Sequence, residues 1–233
     1  MLATLARRAL PPALALTCLV ACGSDARERT PATAQPLLPS AAQPSATAVV
    51  DDSGELLLDD LTDADARFTV NGISGEWFTY SDGTSPITPP DHTGLPVTDG
   101  AAHVSGAGFN DWGAGVSAYF TSADLSAFDA IDVRVRGSGV IVAELATPAT
   151  SPPEEGGTCT GEGCFGHFAR SIPLTEAYQD VSIRFAELAQ PSWAQPAQLA
   201  LDGVISLNLT TKVAGAPASI DLWIDQLALH AQR

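Results

Sequence analysis

The chain has 233 residues, of which 11 are Lys or Arg and 27 are Asp or Glu, for a formal net charge of −16. Lys212 is its only lysine, and a surface this acidic cannot displace counterions from phosphates, so nucleic acid is excluded as a partner. Strong negative charge keeps an exported protein soluble and supplies carboxylates for a cation, without specifying what else is bound.

The N-terminus reads MLATLARRALPPALALTCLVACGSD. Arg7 and Arg8 precede an apolar run, Ala9 to Ala21, that is too short to span a bilayer and suits the core of a signal peptide. Leu19-Val20-Ala21-Cys22 resembles the lipobox of bacterial lipoproteins, which implies cleavage after residue 21 and acylation of Cys22, an anchor made firm by several buried chains. Removal of residues 1–21 takes Arg7 and Arg8 away and leaves nine basic against 27 acidic side chains. Gly23 and Ser24 follow the cysteine with no acidic residue directly after it, which in a diderm cell favours the outer membrane over the inner. The expected location is therefore the cell envelope, lipid-anchored and extracytoplasmic. Residues 22–53 are rich in Pro, Ala, Ser and Thr and show no apolar periodicity, so they read as a disordered tether.

From Gly54 onward apolar and polar residues alternate with the period of a strand. The predicted strands in chain order are ELLLDDL (55–61), EWFTYSD (76–82), AAHVSG (101–106), GVSAYFT (115–121), IDVRVRG (131–137), GVIVAELA (139–146), DVSIRF (180–185), VISLNLT (204–210) and SIDLWIDQL (219–227). Gly, Pro and Asp punctuate them, and no long helical period intervenes. That pattern predicts an all-β fold, an antiparallel β-sandwich over residues 54–230 in which each sheet has a core face and a polar face.

The segment TCTGEGCFGHFAR (158–170) concentrates cysteine, histidine and glycine. Cys159, Cys164 and His167 admit a zinc site, a redox pair or a disulfide. Cys18 leaves with the signal and Cys22 is acylated, so Cys159 and Cys164 are the remaining pair, and in an exported protein such a pair oxidises. Zinc wants four ligands, or three and a water, and no second Cys/His cluster follows. A disulfide closing the TGEG loop is expected, stiffening a Pro-rich loop beside Phe165 and His167 that suits either a binding rim or protection from proteases.

The succession LLLDDLTDAD, GEWFTYSDG, AHVSGAGFNDWGAGVSAYF, FDAIDVRVRGSG, AYQDVSIRFAELAQPSW and SIDLWIDQLAL resembles the galactose-binding-like jelly-roll modules, in particular family-11 carbohydrate-binding modules and the complex I intermediate-associated proteins. The resemblance covers residues 54–230 and implies a jelly roll with a non-catalytic role, either binding a polysaccharide or cell-surface glycan or serving as a protein-interaction or assembly module. It also implies a structural calcium held by acidic residues near the first strand and on the last, here Asp60 (or Asp59, with Asp63 or Asp65) and Asp225.

Sugar recognition needs aromatic faces and planar polar groups. Tyr80, Asp82 and Trp112 sit beside turns; Trp77 and Phe78 point oppositely on one strand, so one belongs to the core. Alternation places Arg134, Arg136, Arg184, Asn208 and Trp223 on polar faces, and a shared face would form a glycan site. His167 is the histidine best placed for binding, while His92, His103 and His230 are scattered. The expected ligand set is Tyr80, Asp82, Trp112, Arg134, His167, Arg184, Asn208 and Trp223. No Gly-x-Ser-x-Gly elbow, His-Glu-x-x-His helix or phosphate loop is present, and the chain is expected not to be an enzyme.

Overall fold

The computed structural model describes residues 54–63, 65–98 and 100–232; the expected signal peptide, the expected acylation site Cys22 and the expected tether lie outside these residues. Among the described residues there are thirteen strands: β1 (Glu55–Asp59), β2 (Arg67–Val70), β3 (Ile73–Ser81), β4 (Ile87–Thr88), β5 (Val97–Thr98), β6 (Ala101–Phe109), β7 (Gly113–Ser122), β8 (Phe128–Gly137), β9 (Val140–Ala146), β10 (Phe168–Pro173), β11 (Gln179–Arg184), β12 (Ser206–Lys212) and β13 (Ala218–Ala231). Among the described residues the only helical pieces are short 3₁₀ turns. All nine predicted strands form, and β2, β4, β5 and β10 are additions to them.

The strands make two antiparallel sheets. The first runs β11-β8-β13-β6-β4, with β1 beside β13 and β5 beside β6; the second runs β10-β9-β12-β7-β3-β2. The β2–β3 hairpin illustrates how the sequence sets register. Val70 pairs with Ile73, leaving Asn71 (φ 51°) and Gly72 (φ 82°) as a two-residue loop. Both central residues need positive φ there, and Asn-Gly meets that need because its turn twists with the strands it joins.

The core lies between the sheets and follows the alternation. Ile131, Val133 and Val135 of β8, with Leu222, Ile224, Leu227 and Leu229 of β13, meet Trp77, Val116, Phe120, Leu145, Leu207 and Leu209 of the second sheet, all buried. Burying each such side chain contributes about 1.5–3 kcal/mol of transfer free energy. Trp77 is the core member of its Trp-Phe pair. Its indole N–H donates to the buried Asp59 carboxylate at 2.8 Å, and the Leu61 amide donates to the same carboxylate at 2.8 Å. Without those donors a carboxylate at this depth would carry a desolvation cost with nothing to offset it.

The sheet assignment corrects one expectation. Arg134, Arg136, Arg184 and Trp223 lie on strands of the first sheet, whereas Asn208 lies on β12 of the second. Alternation tells which residues of one strand share a side; it carries no information on which sheet a strand joins, so Asn208 does not share their face.

Candidate functional site

The outer face of the second sheet is a grid whose columns are β3, β7, β12 and β9. One row is Tyr80, Gly115, Thr210 and Val142; the next is Phe78, Ser117, Asn208 and Glu144; the third is Glu76, Tyr119, Ser206 and Ala146. These residues point away from the core, yet Thr210 is 0 %, Ser117 2 % and Glu144 8 % exposed. Polar side chains buried on an outer face are covered by the chain that flanks them, so this face is recessed between elements that can be named.

On one side the wall is aromatic. Tyr80 stacks on Trp112, rings 5.8 Å apart and inclined by 27°, and Trp112 remains 42 % exposed. Tyr80 lies across β7 and its hydroxyl reaches Thr210, which is possible only because position 115 is glycine. A Cβ there would sit 2.8 Å from the Tyr80 hydroxyl and 2.8 Å from the Leu209 carbonyl oxygen. Asp82 holds the turn that presents Trp112, accepting from the Asp111 and Gly113 amides at 2.9 and 3.0 Å and from Thr84. Desolvation is the largest single influence and raises the Asp82 carboxyl, yet the donors from Thr84, Asp111 and Gly113 together outweigh it and hold the group down at about 2. Asp82 thus builds the site's frame, with its oxygens committed to the loop.

On the other side stands the 147–167 loop. Its Thr147–Thr150 turn closes with the Thr147 amide donating to the Thr150 hydroxyl, and that hydroxyl lies 2.9 Å from His167 Nδ1. Cys159 and Cys164 are disulfide-bonded, and the Cys159 and Phe165 amides donate to the Ser151 and Thr150 carbonyls. Gly156 comes up beside the Tyr119 hydroxyl. His167 is only 7 % exposed: burial, with the positive charge of Lys212 adding to it, pushes its imidazole down to about 4. It is a neutral strut under the loop.

Between the walls, Lys212 reaches along the floor to Glu144, Nζ to Oε2 2.9 Å. Burial raises the Glu144 carboxyl, and the lysine charge and hydrogen bond pull it back. Phe78 and Tyr119 are diagonal neighbours on β3 and β7, with centroids 6.2 Å apart and rings inclined by 46°, and Phe78 also meets His92 at 6.2 Å. The face therefore offers aromatic surfaces, an ion pair and the Asn208 amide within one depression.

Of the expected ligand residues, Tyr80, Asp82, Trp112, His167 and Asn208 belong to this side of the molecule, and Arg134, Arg184 and Trp223 to the opposite face. There Trp223 is sandwiched between His103, rings 4.1 Å apart and nearly parallel, and the Arg136 guanidinium 4.2 Å from its centroid. Asp225 is bound by Arg134 at 2.7 Å, and Asp60 turns onto Thr62. Among the described residues no three His, Cys, Asp or Glu side chains group to hold a metal. Of the carboxylates expected to hold calcium, Asp225 is thus paired with a guanidinium and Asp60 commits its Oδ1 to its own turn.

The expected ligand set omitted Phe78, Tyr119, Glu144 and Lys212. A signal for two of them was present: the polar positions of β3 and β7 carry aromatics, Phe78 and Tyr80 on one strand and Tyr119 on the next.

No protein-family model matches the sequence, and none of the curated proteins matches it. Solved structures do. The family 11 carbohydrate-binding module of the cellulosomal cellulase Lic26A-Cel5E of Clostridium thermocellum is 19% identical, with a TM-score of 0.54 over 77% of this chain and 95% of that one. A family 11 module from Clostridium thermocellum in complex with a β-1,3-1,4-mixed-linked tetrasaccharide is 18% identical, with a TM-score of 0.53 over 76% of this chain and 96% of that one. The chain thus has the two-sheet β-sandwich fold of these modules, at under 20% sequence identity.

Proposed function

We propose that this chain is a non-catalytic carbohydrate-binding module, exported and lipid-anchored through Cys22, and that it binds a polysaccharide on the outer face of its second sheet. The observation that carries the reading is the depression itself. Trp112, Tyr80, Phe78 and Tyr119 supply aromatic faces around a polar floor of Asn208, Glu144 and Lys212. Pyranose rings present flat C–H faces that stack on such rings, and their hydroxyls pair with planar amide and carboxylate groups. The tetrasaccharide held by a structural neighbour of the same fold supports the ligand class; fold alone would not, since one fold hosts many functions. A protein-interaction module would be favoured by a face stripped of aromatics, and this one is rich in them.

The test is affinity electrophoresis of the full chain through gels carrying mixed-linkage β-1,3-1,4-glucan, cellulose derivatives, xylan and bacterial cell-wall polysaccharides. Retardation on at least one gel is expected, with Trp112→Ala weakening it about tenfold, the loss of roughly 1.4 kcal/mol of contact. Unretarded migration on every gel would remove the carbohydrate reading. The anchor is tested separately: partition of the chain into detergent phase after expression in a bacterial envelope should disappear in Cys22→Ser.

A further inference from the structure

At the β2 edge of the second sheet lies a pocket of about 480 Å³, lined by Arg67, Glu76, Phe78, His92 and Gly94 together with Ala66. Its size falls within the ~300–1,000 Å³ of small-molecule sites. Two of its lining residues, Ala66 (φ 55°) and His92 (φ 57°), hold left-handed backbone conformations without being glycine. Each is pinned to β3: the Trp77 amide donates to the Ala66 carbonyl at 2.8 Å, and the His92 amide donates to the Thr79 carbonyl at 2.7 Å. Backbone held in such sparsely populated regions clusters at ligand clamps. Gly94 lies close against Ala66, where an added Cβ would stand 3.0 Å from the alanine methyl.

The chemistry of the lining is specific. Phe78 and His92 give two ring faces inclined by 34°. Beside them the exposed Arg67 guanidinium and Glu76 carboxylate form an ion pair at 3.6 Å, a planar donor next to a planar acceptor. Asp65 adds a second carboxylate, occupied by the Arg67 amide at 2.8 Å. Rings next to paired donors and acceptors match a polyhydroxylated ring, and one cation against two carboxylates does not match a phosphate or another anion. Phe78 is shared: one neighbour is His92 in the pocket, the other is Tyr119 on the floor of the depression.

We propose that this pocket is a further carbohydrate subsite, taking the sugar unit that lies beyond β3 when a glycan crosses the strands of the second sheet. The subsite rests on the carbohydrate reading above and specifies the direction of the chain. The grid rows run across the strands, and the Phe78 row leads from Glu144 and Asn208 directly into the pocket.

The experiment is calorimetric titration of the full chain with mixed-linkage β-1,3-1,4-gluco-oligosaccharides from di- to octasaccharide, in the wild type, Glu76→Gln and His92→Asn. Asparagine is chosen because it tolerates positive φ, and unfolding midpoints check that both variants remain folded. The wild type is expected to gain affinity with length up to the oligosaccharide that fills the pocket. Both variants should lose that last increment, about tenfold, while matching the wild type on the shortest oligosaccharide that binds. Backbone amide shifts at His92 and Gly94 should move only with the longer ligands. Identical length dependence in all three proteins would overturn the subsite and leave the carbohydrate reading standing. No binding by the wild type at any length, nor to polymeric glucan, would overturn both for this glycan class.

Discussion

His167 offers a test of how the wall of the depression is built, because its ionisation is coupled to folding. In the unfolded chain its imidazole titrates near the ordinary 6.5, and in the fold it is pushed down to about 4, first by burial and then by the charge of Lys212. A folded pKa below the unfolded one means that the stabilisation is fully present above 6.5 and is lost as pH falls from there towards 4. The gap corresponds to about 3 kcal/mol at ~1.4 kcal/mol per pH unit. Two carboxyls act in the opposite sense: burial raises both Asp59 and Glu144, so their contribution is present at low pH and fades as pH rises. The wild-type curve alone therefore mixes opposing slopes, and the variant His167→Asn separates them. Its amide occupies the place of Nδ1 and keeps a partner for the Thr150 hydroxyl. Urea unfolding followed by circular dichroism, at intervals from about pH 7.5 to about pH 4, should show the wild type losing about 3 kcal/mol relative to the variant. Parallel curves across that range would refute the claim that a buried, neutral imidazole supports the loop.

The remaining predictions address the frame of the site. Gly115→Ala forces a methyl against the Tyr80 hydroxyl and the Leu209 carbonyl; a loss of about 1–3 kcal/mol in unfolding free energy is expected, with weaker glucan retardation because Tyr80 must move. Replacing both Cys159 and Cys164 by serine opens a short loop and should cost about 2 kcal/mol, read as a lower urea midpoint and as faster proteolysis within residues 147–167. Calcium and chelator should leave the thermal midpoint unchanged, since the guanidinium of Arg134 already occupies Asp225; a calcium-dependent rise would show that the acidic turn after β1 assembles a shell.

Period-2 alternation was enough to place nine strands, because a half-buried strand must be apolar on alternate positions whatever its neighbours. The strands it missed are short or weakly patterned: β2 has only four residues, RFTV, too few to establish a period. β4 and β5 are two-residue pieces, and β10, FARSIP, carries intermediate residues between Phe168 and Ile172. The disulfide was legible from the arithmetic of the remaining cysteines. The site was only partly legible. Tyr80 and Trp112 could be picked out beside turns, but pairing Tyr119 with Phe78, or Lys212 with Glu144, needs the order β9-β12-β7-β3, which is a long-range property. The sequence singles out His167 as the histidine best placed for binding, because it follows the cysteine loop. The Pro-rich loop expected to suit a binding rim folds back through the Ser151 and Thr150 carbonyls, and His167 is buried.

Both outer faces carry aromatic and charged side chains, so composition alone does not say which one binds. The decisive difference is what those groups are already doing. On the first sheet Arg134 is shared between Asp225 and Asp180, His103 holds Asp221 at 2.8 Å, and both faces of Trp223 are covered, by His103 and by Arg136. A ligand arriving there would have to displace contacts of about the strength it could make, and a contact exchanged for its equal yields no affinity. On the second sheet Trp112 has one covered face and one open to solvent, and the Asn208 side chain makes no hydrogen bond to another described residue. Its floor groups are partly desolvated before any ligand arrives, held by a disulfide-tied loop on one side and the Asp82 turn on the other. Preorganisation of this kind lowers the cost of association, which is why we propose the second sheet as the binding face and read the same residue types on the first as a finished surface.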